Sequence, residues 1–197
     1  MPALLDQLAS TDPQERAGAA RAIYSEGLAL LERATARWLI DPEVRRHLPL
    51  KGSTLTNATV GIAVRPERFA AIRAANGSPA LAEVPAEIDA REFELHFPDG
   101  ARLDVLTTRD EQISGDGAIA RFLNRNGEGI QQVELNVGDV NRAAAALRER
   151  LGLKPVYEEA RSGADRTLVN FLLVDFTMPG GESKKLLVEL VQQSDGH

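Results

Sequence analysis

Ile130-Gln131-Gln132-Val133-Glu134-Leu135-Asn136-Val137 is the stretch that decides the fold. Val133, Leu135 and Val137 alternate with Gln132, Glu134 and Asn136, the period of two expected of a strand with one apolar and one polar face. Gly127-Glu128-Gly129 opens it. Asp139 then reads as the cap of a helix that runs to about Arg150 and stops at Leu151-Gly152-Leu153. Two more strands follow, Thr167 to Val174 and Lys185 to Val191, parted by a turn at Met178-Pro179-Gly180-Gly181. The order is strand, helix, strands.

Working toward the N-terminus, the same order appears a second time. Thr59-Val60-Gly61-Ile62-Ala63-Val64 has branched residues at even positions and reads as a strand. Pro66 to Ala75 predicts a helix that begins on its proline and stops at Asn76-Gly77. After a turn-rich connection, Glu92 to Phe97 and Arg102 to Thr107 flank Pro98-Asp99-Gly100 and predict a hairpin. Short solenoid periods are absent, so the pattern is a duplication and not an array.

Residues 1 to about 50 read as helical. Asp12, Pro13 and Glu15 form a start signal of cap, proline and acid. Ala20, Ile23, Tyr24, Gly27, Leu28, Leu31, Ala34 and Trp38 recur at three- and four-residue steps and make one apolar stripe. Asp41-Pro42 repeats the start signal for a short helix, and Lys51-Gly52-Ser53 reads as a linker. The domain reading is a helical arm over 1–52, a first module over 53–126 and a second over 127–197.

Composition narrows the partners. The 197 residues are 43% hydrophobic and 26% charged, with a formal charge of -6 and no strongly basic run. Nucleic acid and anionic membrane are not expected partners. With no cysteine, a disulfide framework, a zinc ribbon and a thiol nucleophile are excluded. The opening residues lack the basic and continuous apolar regions of a secretory signal, and no stretch approaches a membrane span, so the cytoplasm is the expected location. The dinucleotide fingerprint is excluded because Gly127 and Gly129 precede a strand instead of following one.

Arg102-Leu103-Asp104-Val105-Leu106, then Ala118-Ile119-Ala120-Arg121-Phe122-Leu123, then Gly127-Glu128-Gly129-Ile130-Gln131-Gln132-Val133 resemble the vicinal-oxygen-chelate superfamily, and methylmalonyl-CoA epimerase most in look. Arg166 to Phe171 and Leu187-Val188-Glu189-Leu190-Val191 resemble the closing strands of the same enzymes. The resemblance covers roughly residues 57 to 193 and implies an α+β fold. Two tandem βαβββ modules would curve into a cupped, incomplete mixed β-barrel, with the helical arm as an N-terminal extension.

The resemblance also implies a site. Its four metal positions fall on Thr59, Asp104, Gln132 and Glu189, and its proton-abstracting carboxylates on Glu94 and Glu189, with Glu92 as the alternative on that strand. The family's epimerases place histidine where this chain has Thr59 and Gln132. An oxygen-only donor set favours magnesium, manganese or calcium over zinc, cobalt, nickel or iron. Glu92, His96, Glu134, Asn136 and Arg166 are the implied ligand contacts. Without the resemblance, Glu92-Phe93-Glu94-Leu95-His96-Phe97 is also what a strand with one wet face looks like, and Arg166 a solvated arginine. Three functions stay open: a metal-dependent epimerase, isomerase or lyase acting on a small anionic oxoacid or acyl thioester; a metal-free protein that sequesters such a ligand; and a structural protein whose arm supports a homodimer.

Overall fold

The computed structural model describes residues 1–110, 113 and 116–193; the last four residues of the second module lie outside the described residues. In chain order the elements are α1 (Pro2–Leu8), α2 (Pro13–Thr35), α3 (Pro42–Arg45), β1 (Leu50–Lys51), β2 (Thr54–Leu55), β3 (Ala58–Ala63), α4 (Pro66–Ala75), β4 (Arg91–His96), β5 (Arg102–Thr107) and α5 (Ala118–Asn126). Then come β6 (Gly129–Asn136), α6 (Val140–Leu151), β7 (Arg161–Ser162), a 3-10 turn over Ala164–Arg166, β8 (Leu168–Thr177) and β9 (Ser183–Gln192). The fold is α+β with mixed sheet. Two compact units form: Met1–Gly27 with Thr59–Gln131, and Leu28–Ala58 with the chain from Gln132 on.

Proline starts α2, α3 and α4, at a position whose backbone N–H has no partner inside a helix. Asp41 caps α3, its Oδ1 accepting from the N–H groups of Glu43 and Val44 at 2.9 and 3.1 Å. Its other oxygen accepts from Arg150 Nε on α6 at 3.0 Å. The Val44 N–H first, and then Arg150, hold the Asp41 carboxyl below its ordinary value. Asp139 caps α6 through the Arg142 N–H, and Gly152 closes it at φ 69°, a left-handed conformation that glycine adopts without a Cβ clash.

In the first unit β5 is central, antiparallel to β4 and parallel to β3. One face carries Val60, Ile62, Phe93, Leu103 and Val105, all fully buried. The Phe93 ring meets Phe69 of α4 edge-on with centroids 4.8 Å apart. Helix α2 also closes on this face, since a Cβ on Gly27 would come within 2.5 Å of Val60 Cγ2. Arg68 binds Asp6 at 2.6 Å and Asn76 donates to the Leu8 carbonyl at 3.0 Å. Glu128 has a structural role, accepting from the Arg65 N–H at the start of α4 at 2.9 Å and pairing with Arg68 at 3.1 Å.

In the second unit β9 lies between β6, to which it is parallel, and β8, to which it is antiparallel; β7 adds an edge to β8. Helix α6 buries Val140, Ala143, Ala146 and Leu147, and its contacts with β8 and β9 place that apolar stripe on the sheet.

Two local features differ from the sequence reading. Lys51-Gly52-Ser53 belongs to a small hairpin, with Leu50 paired to Leu55 and Lys51 to Thr54 across a Gly52-Ser53 turn, and Gly52 at φ 66° makes the tight reversal. The second unit has the full order of one strand, a helix and three strands, whereas among the described residues the first unit has three strands in all. The connection over residues 79–90 contains Pro79 and Pro85, which lack the N–H that a ladder needs, and Ala82 N–H reaches the Glu92 carbonyl at 3.0 Å.

Candidate functional site

In each unit the strands have a second face, turned away from the helix-covered core, and the candidate residues other than Arg166 lie there. In the first unit the ladder sets Glu94 opposite Asp104, His96 opposite Arg102 and Glu92 opposite Leu106. On its other side Asp104 faces Gly61, and Thr59, two residues earlier on β3, shares that face by the alternation of a strand. Asp104 and Thr59 are 5% and 3% exposed. Glu94 and His96 stand open to solvent, 55% and 63% exposed, with His96 Nε2 2.6 Å from Glu94 Oε2.

The second unit repeats the arrangement. Glu189 of β9 faces Glu134 of β6 on one side and Phe171 of β8 on the other. Gln132, two residues before Glu134, donates its amide hydrogen to Glu189 Oε2 in a short hydrogen bond and to Glu134 Oε1 at 3.4 Å. Gln132 and Glu189 are both buried. Thr59 and Gln132 therefore hold one register position, two residues ahead of the residue that faces the acid, and Asp104 and Glu189 hold another. Glu94 corresponds to Phe171, and His96 to Leu173, because these pairs face Asp104 and Glu189 or the residue two before them.

Other candidates are held differently. Asn136 accepts from Gln193 Nε2 at 3.0 Å and donates to the Asn57 carbonyl at 3.4 Å, so its amide is committed within its own unit. Arg166 lies off the strands, exposed in the 3-10 turn, where Asp165 and Arg166 both have positive φ, 48° and 62°. Glu92 is half-buried on the same strand face as Glu94.

Among the described residues, no cluster of three or more histidine, aspartate or glutamate side chains is arranged to hold a metal ion. Each unit offers one buried carboxylate with one neutral oxygen donor, Asp104 with Thr59 and Glu189 with Gln132. Hard oxygen donors of this kind fit magnesium, manganese or calcium. The sequence reading missed the aromatic at Phe171, whose signal was its place two residues from an exposed Leu173 on one strand face.

The chain resembles solved structures of methylmalonyl-CoA epimerases. With the enzyme from Mycobacterium tuberculosis it shares 31% identity over 69% of this chain and 86% of that one, at a TM-score of 0.52. This chain belongs to the vicinal-oxygen-chelate superfamily. A methylmalonyl-CoA epimerase solved with methylmalonyl-CoA and ammonium is similar to this vicinal-oxygen-chelate protein at 25% identity, covering 70% of this chain and 93% of that one at a TM-score of 0.50. A hypothetical protein from Bacillus halodurans C-125 shares the fold at 19% identity and a TM-score of 0.54, over 72% of this chain and 99% of that one. No family model and no curated protein matches the chain.

Proposed function

We propose that this vicinal-oxygen-chelate protein binds a small anionic oxoacid or acyl thioester on these strand faces and moves the proton alpha to its carbonyl, as an epimerase or isomerase does. The observation that carries the reading is the matched register of the two acids, Asp104 beside Gly61 and Glu189 beside Glu134. A duplicated module that keeps a buried acid at the same rung keeps it against a large desolvation cost. The solved relatives named as methylmalonyl-CoA epimerases support a thioester as the ligand.

In this reading Glu94 and Glu189 are the proton-transfer groups, with Glu92 as the alternative to Glu94. A carboxylate takes the alpha proton, the C–H electron pair moves into an enolate, and a carboxylic acid returns a proton to the same carbon. Glu189 Oε2 accepts from Gln132, so a proton meets Glu189 most readily at Oε1. His96, 2.6 Å from Glu94, holds that carboxylate in place, and Glu134, Asn136 and Arg166 are the remaining polar contacts proposed for the ligand. A divalent metal held by Asp104 with Thr59 in the first unit, or by Glu189 with Gln132 in the second, would supply Lewis-acid stabilisation of the enolate oxygen. The proposed assembly is a homodimer, which light scattering reads as twice the 21.3 kDa chain mass.

The test is incubation with methylmalonyl-CoA in deuterated water, with and without magnesium or manganese. Deuterium at the alpha carbon is the expected result, and no uptake with any divalent metal rules out epimerisation of that substrate. A second reading, a protein that sequesters the ligand without metal, is favoured by the Gln132 hydrogen bond, which supplies Glu189 with a donor in the absence of a cation. Elemental analysis with a thermal-shift series separates the two, because a stoichiometric metal that raises the melting temperature counts against sequestration.

A further inference from the structure

Rung by rung, the two strand faces differ in one consistent respect. Beside Asp104 the first unit carries Glu92, Glu94, His96 and Arg102. At the corresponding rungs beside Glu189 the second unit carries Val169, Phe171, Leu173 and Leu187. Where these rungs of the first face are charged, those of the second are apolar, and each has an acid in its middle. Leu173 is 51% exposed and Val156 55%. Val156 runs along β8, its N–H donating to the Phe171 carbonyl at 2.8 Å, so it extends the same row by one position.

Single exposed apolar residues are ordinary, but a contiguous row beside a buried carboxylate is the composition of a ligand surface. The row is also braced. Tyr157 meets the Phe171 ring edge-on with centroids 6.1 Å apart, and the Arg161 guanidinium stacks over Tyr157 at 4.2 Å. An aromatic already held by a neighbouring ring loses little freedom when a ligand covers it.

We infer that Phe171, Leu173, Leu187 and Val156 form a platform for the apolar body of the ligand, and that the ligand is a thioester or oxoacid with an acyl or aryl group long enough to span the about 7 Å from Phe171 to Leu173. This rests on the proposed function, since it names the class of ligand whose reacting end lies at Glu189. Methylmalonyl-CoA, with its single methyl branch, would leave most of the row wet.

The experiment is calorimetric titration of the full chain with acetyl-, butyryl- and hexanoyl-CoA, beside the deuterium assay. Affinity is expected to rise by about two- to fourfold per added methylene while the chain still finds row to cover. Phe171→Ala and Leu173→Ser should flatten that series, and Val156→Ser, at an exposed position, should do so in part even if Phe171→Ala does not fold. Equal affinities across the series, with deuterium exchange into methylmalonyl-CoA retained, overturn the platform and leave the proposed function standing. Absence of both thioester binding and exchange overturns the two together.

Discussion

Gln132 reaches from β6 to β9 and gives its amide hydrogen to Glu189, tying together two buried polar side chains 57 residues apart in sequence. Replacing it by leucine removes a donor from a buried carboxylate and puts an apolar branch in its place. A hydrogen bond to a charged group contributes about 1.5 to 3 kcal/mol, and Gln132→Leu should lose about that much. Urea denaturation reads it directly. A variant as stable as the parent would mean that Glu189 is held by other partners.

The proposed chemistry separates Glu94 and Glu189 from the residues around them. Glu94→Gln and Glu189→Gln remove a proton acceptor with almost no change of shape, and each should slow deuterium exchange by at least about a hundredfold. Asn136→Ala, at a proposed ligand contact that takes no proton, loses its ties to Gln193 and Asn57 and should weaken ligand binding while altering exchange at saturating ligand far less. Exchange that survives in Glu94→Gln but not in Glu92→Gln would move the role one rung along β4.

Two glycines of α2 make an internally controlled pair. A Cβ on Gly18 would meet nothing within 4 Å, whereas one on Gly27 would strike Val60, which is fully buried. Gly18→Ala should stabilise by about 0.5 to 1 kcal/mol through helix propensity. Gly27→Ala should destabilise by about 1 to 3 kcal/mol through overpacking. Melting temperatures shifting in opposite directions is the expected observation.

Arg21 binds Asp99 at 2.6 Å, and this contact first, then the Ala101 N–H, holds the Asp99 carboxyl below its ordinary value near 3.8. A lowered folded-state pKa stabilises above the unfolded value, and that contribution is lost as pH falls through the folded one. Arg21→Ala should therefore raise the Asp99 pKa in an NMR titration. The stability difference between parent and variant should be full above about pH 5 and shrink as pH falls below the ordinary carboxylate range and through the lowered folded-state value.

Much of the fold was legible because local chemistry agreed with tertiary packing. Asp12-Pro13, Asp41-Pro42 and Pro66 start α2, α3 and α4, and Gly152 ends α6 where the sequence placed its stop. The hairpin around Asp99-Gly100 formed because its turn residues and its alternation point the same way. Lys51-Gly52-Ser53 reads as a linker and not as part of a hairpin because two-residue strands are too short to show any period. The site was legible only as far as alternation goes. That Glu94 faces Asp104, and that Phe171 is its counterpart beside Glu189, depends on the pairing register within each hairpin, which no single strand encodes.

The Asp41–Arg150 contact also fixes an order of events in synthesis. Its partners are 109 residues apart, and at about 5 to 20 residues per second α3 emerges some 5 to 20 s before the helix it pairs with. During that interval the apolar side of the arm, with Leu31, Ala34 and Trp38, has only nascent chain and solvent for company. The arm is made before α6 and completed only with it, so in the cell the newly made protein should be a client of ribosome-associated chaperones until α6 has left the exit tunnel.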